Sequence, residues 1–182
     1  MIEGDENKYK DLLKTVDEHP NNIVPVCSMV TPENIDTILK ENNFFDDLDI
    51  LSIDVDGVDY EIWKATTCRP KLVIIEPCNS IPLWVRKPIY PVNTDGGANP
   101  FILKELAIEK GYTYVCTTGN LFFVRNDITI PTQTDVEFPW WIPQDLKETV
   151  FYLSNLDNET FTHFLEDLPK YIKGARLPYM HG

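Results

Sequence analysis

Apolar residues recur along this chain in two rhythms, one of helical spacing and one of short continuous runs bounded by turn residues. Tyr9, Leu12, Leu13 and Val16 share one face of a helix predicted over 7–18, which His19-Pro20-Asn21-Asn22 ends. A short β-rich run follows over 23–30. Thr31-Pro32-Glu33 opens a second helix, with Thr31 as cap, Pro32 at the first helical position and Ile35, Ile38 and Leu39 as its buried stripe. The segment 48–56, LDILSIDVD, predicts a strand running into a turn at Gly57, and 60–65 a short helix. KLVIIE, 71–76, is the most hydrophobic strand; its near-continuous apolar character predicts cover on both faces, the habit of parallel sheets. The stretch 79–99 holds Pro82, Pro88, Pro91, Gly96 and Gly97 without periodicity, and so long an excursion is more often a functional lid than filler. A helix over 100–110 turns Ile102, Leu103, Leu106 and Ala107 inward and closes at Gly111. Two strands, 112–117 and 120–125, meet around Thr118-Gly119 as an antiparallel hairpin.

Strands alternating with helices predict an α/β fold on a mostly parallel sheet that ends in that hairpin. Past residue 130 the pattern changes. A proline-punctuated linker over 131–143 carries Trp140-Trp141, and two short amphipathic helices follow, near 144–154 and 158–168. The chain therefore divides into an α/β domain, 1–130, and a C-terminal helical appendage, 131–182, packed on the domain or on a partner. The two tryptophans either cover the domain's own core or dock that partner.

Composition narrows the classes of function. A length of 182 residues with 43% apolar and 25% charged residues suits one globular domain with a real core. The net charge of −13 argues against nucleic acid as a partner, because phosphate binding needs a basic surface. No run of about 18 or more apolar residues occurs, so no membrane span is expected. The acidic start MIEGDENKYK does not resemble a secretory leader. Cys27, Cys68, Cys78 and Cys116 form no CxxC pair, and three of them lie in or at the end of apolar runs, as reduced thiols do. A cytoplasmic or other reducing intracellular compartment is the expectation, and zinc is not.

The candidate chemistry sits at strand ends. Asp54 and Asp56 close one strand; Glu76 and Asn79 close or follow another; Ser28 and Thr31 close a third; Glu3 and Asp5 follow the short run Met1-Ile2. In open α/β sheets the ligand crevice lies outside the carboxyl ends of the strands, so these side chains converge if the strands run parallel. Each acid taken singly is also an ordinary turn or cap residue. His19, His163 and His181 have no catalytic context.

Three families share features with IDVDGVDY. The motif resembles the nucleophile strand of haloacid dehalogenase phosphatases, hhhDxDGV, with Asp54 as nucleophile and Asp56 as acid/base. That family also needs a later GDxxxD, which TYVCTTGNLFFVRND lacks. A glycosyltransferase DxD is the second reading, with no nucleotide-binding half before it.

The third uses the order of the whole chain. IEGD, a helix, CSMVTPENIDTIL, LSIDVDGVDYEIWKA, RPKLVIIEPCNSIP, a helix ending EKGY, and TYVCTTGNLFFVRND resemble successive elements of the class I S-adenosylmethionine methyltransferases, closest to the FkbM-like branch. The resemblance covers about 1–127, and its specific part is LSIDVDGVDYEIW with VIIEPCNSIP. It implies a Rossmann-like sheet lacking the family's first strand and glycine-rich turn, an N-terminally truncated methyltransferase fold. By this resemblance Glu3 holds the cofactor's ribose, Ser28 and Met29 form the adenine wall, and Asp54, with Asp56 beside it, faces the methyl group and acceptor. Asp54 or Asp56, Glu76 and Asn79 take the places that bind a divalent cation such as Mg²⁺ in metal-dependent members. The implied function is O-methyl transfer to a small hydroxyl or sugar-like acceptor. The alternative is a catalytically inactive subunit of the same fold, a pseudoenzyme that binds a protein partner. Without the first strand, three outcomes stand open: the strands on either side of it pair directly, another chain supplies the strand, or the protein is a relic that kept its fold for binding.

Overall fold

The computed structural model describes residues 1–78, 81, 85–89, 96–129 and 162. The expected C-terminal helices, Trp140, Trp141 and Asn79 lie outside the described residues.

Asp5 starts the first helix by a local mechanism: its carboxylate accepts the amide hydrogens of Asn7 at 2.7 Å and Lys8 at 2.9 Å. Helix α1 (Glu6–Glu18) follows the short strand β1 (Ile2–Glu3), and β2 (Val26–Cys27) returns parallel to β1. None of the residues of α1 is buried, so its apolar stripe of Tyr9, Leu12, Leu13 and Val16 packs only in part. Helix α2 (Ile35–Glu41) begins later than Thr31-Pro32 predicts. A turn intervenes, in which Asn34 accepts from the Thr31 amide and donates to the Met29 carbonyl, both at 2.8 Å, so Thr31 does not cap the helix through its side chain. Ile35, Ile38 and Leu39 are its buried face, as the spacing requires.

The larger sheet contains β3 (Ile50–Ile53), β4 (Leu72–Ile75), β5 (Tyr112–Thr117) and β6 (Leu121–Arg125) in the order β3-β4-β6-β5. β3 and β4 are parallel; β6 runs against both β4 and β5. The hairpin of β5 and β6 is present, with a register shift between Tyr114 and Cys116. Three strands of this sheet therefore share one direction, but two of its three pairings are antiparallel. The fold is α/β, and its main sheet is mixed, parallel at β3-β4 and antiparallel through the terminal hairpin.

Strands β1 and β2 form a separate two-stranded sheet and are not hydrogen-bonded to β3. Direct pairing of these neighbours, one of the outcomes left open by the sequence, is thus not formed. Ile2 and Val30 nevertheless pack against the same core as Leu51 and Ile53. That core takes its helical members from α2, α3 (Asp59–Ala65) and α4 (Pro100–Lys110). Trp63 is its largest member, 1% exposed, with ring centroids 5.1 Å from Phe123 and 6.0 Å from Tyr112. On β4, Val73 and Ile75 are fully buried while Leu72 and Ile74 are half-buried, so the second face of KLVIIE is only partly covered.

Buried Asn99 caps α4 by accepting from the amides of Phe101 and Ile102, and Pro100 occupies its first turn. Gly111 ends it at φ 79°, a left-handed turn that glycine adopts without a side-chain clash. All four cysteines are free thiols; Cys68 is buried, but Cys27 is exposed rather than packed. Burial pushes the Cys68 thiol up to about 11, so it stays protonated and acts as a small apolar group. No helix among the described residues is long and apolar enough to cross a membrane.

Candidate functional site

Parallel pairing decides where the acids go. β3 and β4 are in register from Ile50–Leu72 to Ile53–Ile75, and the Glu76 amide bonds the Ile53 carbonyl at 3.2 Å. Their carboxyl ends therefore share one rim, and the residues that leave it, Asp54 and Glu76, emerge side by side. Asp56 joins them from the turn. One carboxylate oxygen from each of Asp54, Asp56 and Glu76 lies within 4.8 Å of the other two, and all three residues are exposed.

The turn is held by a residue that sequence reasoning missed. Asp59, 6% exposed, receives the Val55 amide on Oδ1 and the Gly57 amide on Oδ2, each at 3.1 Å. These two bonds bracket Asp56, whose φ of 54° is left-handed and unfavourable for a residue with a Cβ. The strain is stabilised locally, and it turns Asp56 back toward Asp54. In the sequence Asp59 looks like a first-turn acid of α3, one of three in DVDGVD; only its burial distinguishes it.

The electrostatics follow from crowding. Burial is the largest influence holding the Glu76 carboxyl above its ordinary range, with Asp54, Asp59 and Asp56 adding repulsion and a shared hydrogen bond to Asp54 acting in the same direction. Asp59 is raised for the same first reason, opposed by the two amides it accepts. Three oxygen donors of like charge converging on one point suit a hard divalent cation, which would neutralise their repulsion.

The excursion returns to this rim. Ile89 and Gly97 exchange backbone bonds at 2.9 Å, and the Cys78 amide bonds the Ala98 carbonyl at 2.9 Å. Ile81, Val85 and Ile89 form a small buried cluster with Cys78. Gly97, at φ 137°, lies so close that a Cβ would meet Cys78 Cβ at 3.3 Å and the Gly57 carbonyl oxygen at 3.5 Å. Glycine is favoured here by its φ and by the close approach of Cys78, while the ordinary contact with the Gly57 carbonyl sets the end of the excursion against the Asp56-Gly57 turn.

The residues expected to bind a cofactor form a second group on the smaller sheet. The Ser28 amide bonds the Glu3 carbonyl at 3.0 Å, which brings Glu3, Ser28 and Met29 together at the carboxyl end of β1 and β2. One Glu3 carboxylate oxygen is engaged by the Asp5 amide at 2.8 Å, leaving its second oxygen to accept a hydroxyl. The Met29 side chain is 69% exposed and lies within 3.1 Å of where a Gly4 Cβ would be. Both Gly-Gly residues belong to the other rim, so no glycine-rich turn approaches Glu3 among the described residues. Among them, too, no hydrogen bond or ion pair joins the Glu3 group to the Asp54 group. A cleft of about 380 Å³ lined by Lys40, Asn43, Phe45 and Asp46 lies toward the amino end of β3, away from both.

No protein-family model matches this chain, and comparison with curated proteins and with solved structures returned no match.

Proposed function

We propose that this chain is a methyltransferase-like domain whose strand-end acids bind a divalent cation beside a small hydroxyl or sugar-like acceptor. The observation that carries the reading is the convergence of Asp54, Asp56 and Glu76 at the carboxyl ends of two parallel strands. The placement of a reversed strand between its neighbours at the end of the sheet, β4-β6-β5, supports it as well. So does the order of motifs from Glu3 to Asp127.

In this reading Asp54, Asp56 and Glu76, with Asn79, hold the cation, and Glu3 accepts a ribose hydroxyl through its free carboxylate oxygen. Ser28 and exposed Met29 offer the adenine a polar edge and an apolar wall. When bound, S-adenosylmethionine supplies an electrophilic methyl group and the cation lowers the acceptor hydroxyl's pKa. Asp54 orients the acceptor and takes up its proton, and the returning Gly96–Asn99 segment limits the acceptor's size.

Calorimetric titration with S-adenosylmethionine, with and without Mg²⁺, tests the reading. Micromolar binding that Glu3→Ala abolishes is the expected result. No heat at millimolar ligand overturns it. A second reading, a binding subunit of the same fold without catalysis, is favoured by one observation: among the described residues β3 pairs only with β4, and β1–β2 form a sheet of their own. Phosphatase activity on p-nitrophenyl phosphate, lost in Asp54→Asn, would replace both.

A further inference from the structure

Among the described residues strand β3 is the outermost strand of its sheet, and half of its backbone groups have no partner there. β4 donates to the carbonyls of Asp49 at 2.9 Å and Ile53 at 3.2 Å, so by the alternation of a parallel ladder Leu51 and Ile53 face β4. Ile50 and Ser52 therefore direct their N–H and C=O groups away from the sheet. Among the described residues no backbone group bonds to them. The Ile50 side chain is 53% exposed beside these groups. A row of unpaired amides and carbonyls with an apolar side chain is a template for one more strand.

Charge selects the kind of strand. Asp46, Asp47 and Asp49 precede β3 and Asp54 and Asp56 follow it, so both ends of the edge are acidic. Lys71 bonds Asp49 at 2.5 Å and approaches Asp47 at 3.9 Å, which leaves the amino end acidic still. A second copy pairing antiparallel through these outward groups would set Ile50 against Ser52 and bring Asp46 of one copy opposite Asp56 of the other, acids beside acids. The short acidic edge thus disfavours self-association and favours a strand of opposite charge.

We propose that the open edge of β3 docks an extended peptide segment whose apolar centre is flanked by basic residues. This names the partner for the binding reading above and is independent of methyl transfer. Because few backbone groups are offered and the flanking acids are exposed, binding is weak and falls with added salt.

The test is a titration of the ¹⁵N-labelled full chain with Lys-Lys-Val-Ile-Val-Lys-Lys and with its counterpart carrying glutamates in place of lysines. Only the basic peptide is expected to shift the Ile50 and Ser52 amides and slow their hydrogen exchange. Ser52→Pro removes an outward N–H while sparing those of Leu51 and Ile53, and should abolish the effect. Ile50→Lys, which leaves the ladder intact, should weaken binding at least tenfold and covers the case in which the proline variant fails to fold. Equal binding of both peptides, shifts confined to Asp54, Asp56 and Glu76, or unchanged binding to Ile50→Lys each overturn the proposal. Concentration-dependent shifts of Ile50 without peptide would do so too, by making a second copy the occupant. The S-adenosylmethionine titration is read separately, so either idea can fail alone.

Discussion

Removing the Asp59 carboxylate should unfasten the turn that carries Asp56. Its two accepted bonds, from Val55 and Gly57, are each 3.1 Å, longer than the about 2.7–2.9 Å of strong charge-assisted bonds. Each is therefore worth about 1.5 kcal/mol, the low end for a charged acceptor, and together about 3 kcal/mol. Against this, Asp59→Ala relieves a buried charge whose carboxyl is raised mainly by burial and partly by Asp54. Val55 and Gly57 are only half-buried, so water can reach the freed amides. The net expectation is a loss of about 2 kcal/mol, or a fall in Tm of roughly 4–8 °C for a domain of this size. Asp56→Gly should act in the opposite sense, gaining about 1 kcal/mol because glycine adopts a φ of 54° without strain. Urea unfolding followed by tryptophan fluorescence measures both. A loss below about 0.5 kcal/mol in Asp59→Ala, within the range of an ordinary surface substitution, would refute the claim that this carboxylate holds the loop.

The other predictions concern the core, a cap and the acid rim. Trp63→Ala, at 1% exposure between Phe123 and Tyr112, should cost about 3–5 kcal/mol and leave little cooperative unfolding in a calorimetric scan. Asn99→Ala removes the cap of α4 and the donor to the Val85 carbonyl at 2.9 Å, costing about 2–3 kcal/mol in denaturant titration. For Glu76 the folded carboxyl titrates above its ordinary value of 4.5, so its contribution is full below that value and is lost as pH rises through the folded pKa. Without metal, Tm should fall over that window; Glu76→Gln should flatten this part of the profile. With Mg²⁺ at a hundred times its Kd the native state should gain about 2.7 kcal/mol at neutral pH, and Glu76→Gln should lose that gain.

Local chemistry alone determined a good deal of this protein. The hairpin around Thr118-Gly119, the strand KLVIIE, and helix α4 between Asn99-Pro100 and Gly111 each depend on signals a few residues apart, and each forms where the pattern puts it. The acids at strand ends were legible as candidates for the same reason. Tertiary structure decided which of the 29 acidic residues meet: Asp54, Asp56 and Glu76 converge because β3 and β4 pair in parallel across a helix, a contact that no short window contains. It also decided the burial of Asp59, the mixed direction of the main sheet, and the separation of β1 and β2 from β3. The amphipathic stripe of α1 shows the limit from the other side, since spacing makes the helix while burial requires a facing surface. Periodicity states which face is apolar; only the assembled layers state what covers it.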